Sequence, residues 1–184
     1  MTMDDFARIR SAVADAAREA WTQLRAEHPA DDYYYFGLWT TPVAHRPAPT
    51  ACSAEGLRLA AESSRADGRA VEFSELRWAV NTSPYDLFGD RAFARLEPLF
   101  EACGDPYDRP RPVNEALLGA MEGALADLDA HGFFGSGSQR QRVVVNVTMP
   151  AHERPADALE SARRLNPAGA LRQYEADLSG AGER

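Results

Sequence analysis

Gly135-Ser136-Gly137-Ser138, followed closely by Arg140 and Arg142, is the stretch whose residue types come nearest to ligand chemistry. Bare backbone amides and an arginine fork are what a phosphate or carboxylate needs. The order of elements argues against it. A phosphate cradle runs strand, glycine loop, helix, which sets the amides at the positive end of a helix. Here the pattern predicts helix, glycine loop, strand, and the loop meets a helix C-terminus, the negative end of the dipole. No Gly-Lys-Ser/Thr follows the glycines. Segment 135–138 therefore reads as a helix stop and turn. Arg140 and Arg142 are the residues that would hold an anion if the loop takes one. Phe133 and Phe134 read as a plug for the core beside that turn.

Other chemistry is sparser. His131 falls in a last helical turn, where positive charge is welcome; His28, His45 and His152 fall in loops near prolines. No two histidines have helical zinc spacing and no Cys/His cluster occurs, so no metal and no cofactor is expected. There is no G-x-S-x-G elbow. Cys52 and Cys103 lie far apart without C-x-x-C spacing, which fits two reduced structural thiols. Asp31-Asp32 is the tightest acidic pair and reads as a solvated strand start. Trp39 and Trp78 are core residues if covered and binding anchors if exposed. The sequence thus singles out Trp39, Trp78, Arg140 and Arg142 for ligand or partner binding, and no catalytic residue.

The elements that must position these residues follow from periodicity. Phe6, Ile9, Val13, Ala17, Ala20 and Leu24 recur at helical spacing, so residues 4–27 form an amphipathic helix with Thr2 and Asp5 as a capping box. Tyr33 to Thr41 is an aromatic strand ended by Pro42, with Tyr33, Tyr35 and Trp39 on one side and Tyr34, Phe36 and Leu38 on the other. Both sides are apolar, so this strand is expected to be central and covered twice. Thr50 to Cys52 suits a short partner strand. Ser53 caps a helix to about Ala66, closed by Gly68. Leu76 to Val80 reads as a short strand around Trp78. Asp90 to Cys103 is helical, broken at Pro98. After the loop 104–112, a helix is expected from Asn114 to Ala130, with Leu117, Leu118, Met121, Leu125 and Leu128 inward and Gly132 as its stop. Arg142 to Met149 is the second clear strand, with Val143, Val145 and Val147 on one side. A helix over 156–165 and a last one capped by Asn166 complete the domain at about residue 178, with 179–184 as a flexible tail. These elements predict a single α+β domain, a small, largely antiparallel sheet with helices packed on it.

Composition sets the outer limits. At 184 residues a single core suffices without a disulfide or metal, since a chain of this size buries roughly 70% of its unfolded surface. No stretch is apolar over the length of a membrane span, and Met1 to Asp5 lead into an amphipathic helix rather than a signal h-region. A cytoplasmic protein is expected. All basic residues are arginine, as a GC-rich bacterial genome would give. The net charge of −8 makes nucleic acid an unsuitable main partner and would steer a basic protein partner inward.

Five segments, "YYYFGLWTT" (33–41), "CSAEGL" (52–57), "ELRW" (75–78), "DLDAHGFFGSGSQRQRVVV" (127–145) and "SARRLNP" (161–167), carry a resemblance that spans nearly the whole chain. The chain resembles an uncharacterised bacterial family, catalogued as a domain of unknown function and found beside toxin-immunity genes of the Sukh type. Ser53 and Glu55 keep that family's residue types, Cys52 departs from them, and Tyr85 stands where a second tryptophan often follows the one matched by Trp78. The resemblance supplies no catalytic residue. It implies one α+β domain and a cytosolic, non-catalytic protein-binding module of the toxin-immunity type, with a basic toxin as partner. The alternative from the residues is a small-ligand binder or enzyme using loop 135–138 with Arg140 and Arg142.

Overall fold

Alternating apolar residues on a strand bury two faces at once, and here they do. In the computed structural model, which describes residues 2–68, 73–150 and 155–181, Tyr33–Trp39 (β1) is the middle strand of a three-stranded sheet. Ala48–Ser53 (β2) pairs with it antiparallel, and Val144–Thr148 (β3) pairs with it parallel. The fold is α+β, but the sheet is mixed rather than largely antiparallel. The hairpin from β1 to β2 forces one antiparallel pair. The long helical connection between β2 and β3 leaves β3 free to return in the direction of β1.

Met3–Glu27 (α1) starts in the expected capping box: the Thr2 side chain accepts from the Asp5 amide, and the Asp5 carboxylate accepts from the Thr2 amide. Its buried face, Ile9, Val13, Ala17, Trp21 and Leu24, joins Phe36, Leu38, Val143, Val145 and Val147 in the main core. The long helix Arg111–Ala130 (α6) completes that layer with Leu117, Met121, Leu125 and Leu128. It begins three residues earlier than the periodicity indicates, because Pro112 suits a helical first turn. Leu118 is only half-buried.

The second face of the sheet carries a smaller cluster of Tyr35, Cys52, Val80, Val144, Ala162, Leu171 and Tyr174. It is covered by Pro155–Leu165 (α8) and Ala168–Ala181 (α9). The sides of β1 differ from strict alternation at its start. The register slips between Tyr33 and Tyr35, so Tyr33 stacks on Phe36 at 5.3 Å while Tyr34 joins Trp78 in the second layer. An irregularity of this kind turns the residues before it to the opposite face.

Between the strands lie Ala54–Ala66 (α2), Phe73–Arg77 (α3), Asp90–Ala94 (α4) and Glu97–Glu101 (α5). The break between α4 and α5 falls where Pro98 requires it. Leu76 to Val80 is not a strand. Phe73 to Arg77 is helical, Val80 to Thr82 forms a 3-10 turn, and Trp78 lies between them. Leu76, Trp78 and Val80 alternate, but Leu76 and Val80 are also one helical turn apart, and a five-residue run cannot separate the two periods.

Both sheet edges are closed by local groups. On β2, the Leu87 amide donates to Pro49 O and the Ser83 hydroxyl to Ala51 O. On β3, the Asn166 side chain pairs with both backbone groups of Val145: Oδ1 accepts from the amide at 2.8 Å and Nδ2 donates to the carbonyl at 2.6 Å. Asn166 therefore extends the sheet instead of capping the last helix, which begins at Ala168. That helix runs on to Ala181, beyond the expected limit at 178; of the expected tail, 182–184 lie outside the described residues, as does His152. No helix among the described residues is long and apolar enough to cross a membrane.

Candidate functional site

The glycine loop begins with a helix stop. Gly132 has φ +73°, its amide returns to Asp129 O, and the Phe133 amide returns to Leu128 O, the paired bonds of a Schellman motif. One feature departs from the expected order. Gly137–Arg140 forms a one-turn helix (α7) before β3. Four residues align too few peptide dipoles to make an anion site.

Arg140 is buried and faces inward. Its Nε donates to Asp129 Oδ1, Nη1 to Val143 O at 2.6 Å, and Nη2 to Leu165 O at 2.9 Å and Asn166 Oδ1 at 3.1 Å. Each guanidinium nitrogen is engaged, so it ties α6, β3 and the end of α8 together and presents no fork to a ligand. Arg142 is exposed and lines a cleft of about 300 Å³ with Gly135, Gln139, Tyr33 and Arg25. Arg25 went unnoticed in the sequence as a last-turn residue of α1. Its guanidinium lies 4.7 Å from the Phe36 ring centre and 4.6 Å from that of Phe133, and its Nη1 donates to Phe133 O. Burial lowers its pKa from the usual arginine value. The Phe133-Phe134 doublet was the available clue, since aromatic faces beside a helix end attract a cation.

Trp39 and Trp78 are both half-buried, and each indole N–H is satisfied. Trp39 donates to Asp86 Oδ1 and Trp78 to Asp177 Oδ2, both at 2.9 Å. Trp39 is thereby pinned beside the end of β1. Trp78 stands in a second cleft, of about 200 Å³, with Tyr35, Tyr174 and Thr148. The structure separates Trp39, Trp78 and the arginines; they form no single site.

A third groove, of about 340 Å³, lies between α6 and α8. Its floor is Leu118, Gly119, Val147 and Met149, and its rim is Glu115, Glu122, Asp157, Glu160 and Arg164. Four carboxylates thus surround an apolar floor with one guanidinium. Glu122 is held in place, accepting from Arg164 Nη2 at 2.7 Å and from the Ser161 hydroxyl at 2.8 Å. Among the described residues a Cβ added at Gly119 would meet nothing within 4 Å, whereas one added at Gly123, one turn on, would come within 2.9 Å of the Arg10 side chain. This groove is not legible in the sequence because its two walls are some forty positions apart. Its one local signal was a glycine in mid-helix, which costs helix stability.

The remaining reactive groups are occupied. Asp31 is no solvated strand start: it accepts from the Ser53 hydroxyl at 2.6 Å and from the Tyr85 hydroxyl. Burial and that carboxylate push the Tyr85 phenol up to about 12. Burial also pushes the Cys52 thiol up to about 12, far from a reactive thiolate. His45 Nδ1 lies 2.6 Å from the Thr41 hydroxyl, and His131 Nδ1 lies 2.6 Å from Asp127 O. Among the described residues no three His, Cys, Asp or Glu are grouped to hold a metal.

No curated protein and no solved structure matches the chain. A family model, Domain of unknown function (DUF4303), matches residues 13–167. That span runs from the buried face of α1 through all three strands to the residue after Asn166, and so includes every cleft wall described above except those supplied by α9. The chain belongs to the DUF4303 family.

Proposed function

We propose that this domain is a non-catalytic protein-binding module of the toxin-immunity type, and that a basic protein docks in the groove between α6 and α8. The observation that carries this reading is Gly119. A glycine in a helix interior costs roughly 0.5–1 kcal/mol relative to alanine. Gly123 has an internal reason, the Arg10 side chain lying over it; among the described residues nothing occupies the space over Gly119. A bare backbone is useful where another chain approaches closely. Leu118 and Met149 beside it supply the apolar centre that an interface needs, and the carboxylate rim supplies complementarity to a basic surface. The chain's −8 charge acts in the same direction at long range. The choice of a toxin as partner rests on the resemblance to one uncharacterised family found beside Sukh-type immunity genes. Co-expression with the toxin encoded by the neighbouring gene tests it: the chain should protect cells, and Gly119→Trp, which fills the groove, should not. Protection by Gly119→Trp equal to that by the wild-type chain, or no protection at all, counts against the reading.

One observation favours a second reading, a small anionic ligand at the glycine loop. Arg142 and the desolvated Arg25 line one cleft there, with Arg25 in the place expected of Arg140. Citrate should then raise the melting temperature of the wild-type chain and not that of Arg142→Ala. Equal melting of both with citrate would end this reading.

A further inference from the structure

Opposite charges that share a cleft in this fold pair with each other, except at the glycine loop. In the groove between α6 and α8, Glu122 pairs with Arg164, and in a cleft of about 490 Å³ beside Tyr107, Glu97 pairs with Arg46. The charged side chains lining the cleft of about 300 Å³ at the glycine loop are Arg25, Arg142 and Asp32. Strand pairing brings them together. β1 and β3 run parallel with Tyr35 opposite Val144, so their N-terminal ends lie side by side. Asp32 directly precedes β1, Arg142 lies two residues before β3, and α1 brings Arg25 there in its last turn. Arg142 and Asp32 are exposed, and among the described residues neither side chain has a hydrogen-bond or ion-pair partner. Arg25 commits Nη1 to Phe133 O, while no described residue accepts from Nε or Nη2. Those two nitrogens form one edge of the guanidinium, an edge on which arginine takes a carboxylate through two parallel bonds. Arg25 is half-buried, and a desolvated cation calls for a counter-charge that aromatic rings supply only in part.

We propose that this cleft binds a free acidic α-amino acid, its two carboxylates on Arg25 and Arg142 and its ammonium group on Asp32. The inference rests on the anionic-ligand reading given above and narrows it. Two guanidiniums and one carboxylate match two carboxylates and one ammonium in number and in sign. The volume stands at the small end of ligand pockets, as suits a molecule of this size. Asp32 sets the class: a plain dicarboxylate would leave it facing like charge, and a basic amino acid would set its second cation against Arg25 or Arg142. All three groups have open polar atoms, so the ligand can reach them without moving the core.

L-Glutamate and glutarate, which differ by the ammonium group alone, are the probes. Titrated calorimetrically into the full chain near neutral pH, glutamate should bind saturably and glutarate at least about tenfold more weakly, the worth of one charged hydrogen bond. Asp32→Asn should weaken glutamate and bring the two ligands within about threefold of each other. Arg142→Gln should weaken both by about tenfold or more. Neither side chain has a partner in the fold, so both variants should keep the wild-type urea midpoint. Glutarate bound as tightly as glutamate, or a preference for glutamate that survives Asp32→Asn, would overturn the inference and leave the anion site standing. Binding of neither ligand would overturn it too, and the citrate melting experiment then decides whether the anion site itself remains.

Discussion

Arg140 shows how far a residue type can mislead. In the sequence it sits beside two glycines and two serines, as a ligand arginine would. In the fold it is buried, and its partners are Asp129, Val143, Leu165 and Asn166. Those partners are separated from it by up to 26 positions, so no local pattern could announce them. Trp39 was equally ambiguous, and its partner Asp86 explains why it is held half-buried. Burial raises the Asp86 carboxyl above its usual range. A raised acid pKa means that ionisation opposes folding. The stability that the neutral form confers is full below the ordinary value, about 3.9, and is lost as pH rises through the raised one. Asp86→Asn keeps an acceptor for the Trp39 indole and removes the charge. Its urea midpoint should exceed the wild type's at pH 7, and the gain should vanish toward about pH 3. A lower midpoint at pH 7 would show that the charge itself holds Trp39.

Elements were legible where a long pattern or a capping signal specified them. The α1 box, the break at Pro98, the Gly132 stop and the central place of β1 all follow from local rules. Short segments were not. Leu76 to Val80 matched two periods, and what decides it is tertiary: Trp78 is fixed by Asp177 and Tyr174 of α9. The parallel pairing of β3 was hidden for a similar reason, since strand direction depends on a connection of many helices. Asn166 belongs to this scale, because its side chain serves as the missing neighbour of β3. Asn166→Ala leaves the Val145 amide and carbonyl without that partner and opens the strand edge. A loss of about 1–3 kcal/mol is expected, read from urea unfolding, together with more light scattering during refolding. A midpoint within about 0.5 kcal/mol of wild type would mean that water replaces the side chain without cost.

At the scale of the whole molecule, charge was fully legible and its focus was not. A count gives −8, but only folding brings Glu115 and Glu122 of α6 opposite Asp157 and Glu160 of α8. The same folding leaves the bare backbone of Gly119 on the groove floor. Attraction from such a surface acts over about 10 Å at 0.1 M salt and about 3 Å at 1 M, so encounter with a basic partner should slow as salt rises, while an apolar centre would mainly set how long the complex lasts. The most direct test is the association and dissociation of the product of the adjacent gene, a basic toxin on the proposed reading, measured by surface plasmon resonance in low and in about 1 M salt for wild type and for Gly119→Trp. The account predicts a complex whose association slows with salt and which Gly119→Trp, folded with a urea midpoint no lower than the wild type's, fails to form. No complex with the wild-type chain at low salt, or equal binding by Gly119→Trp, would contradict it.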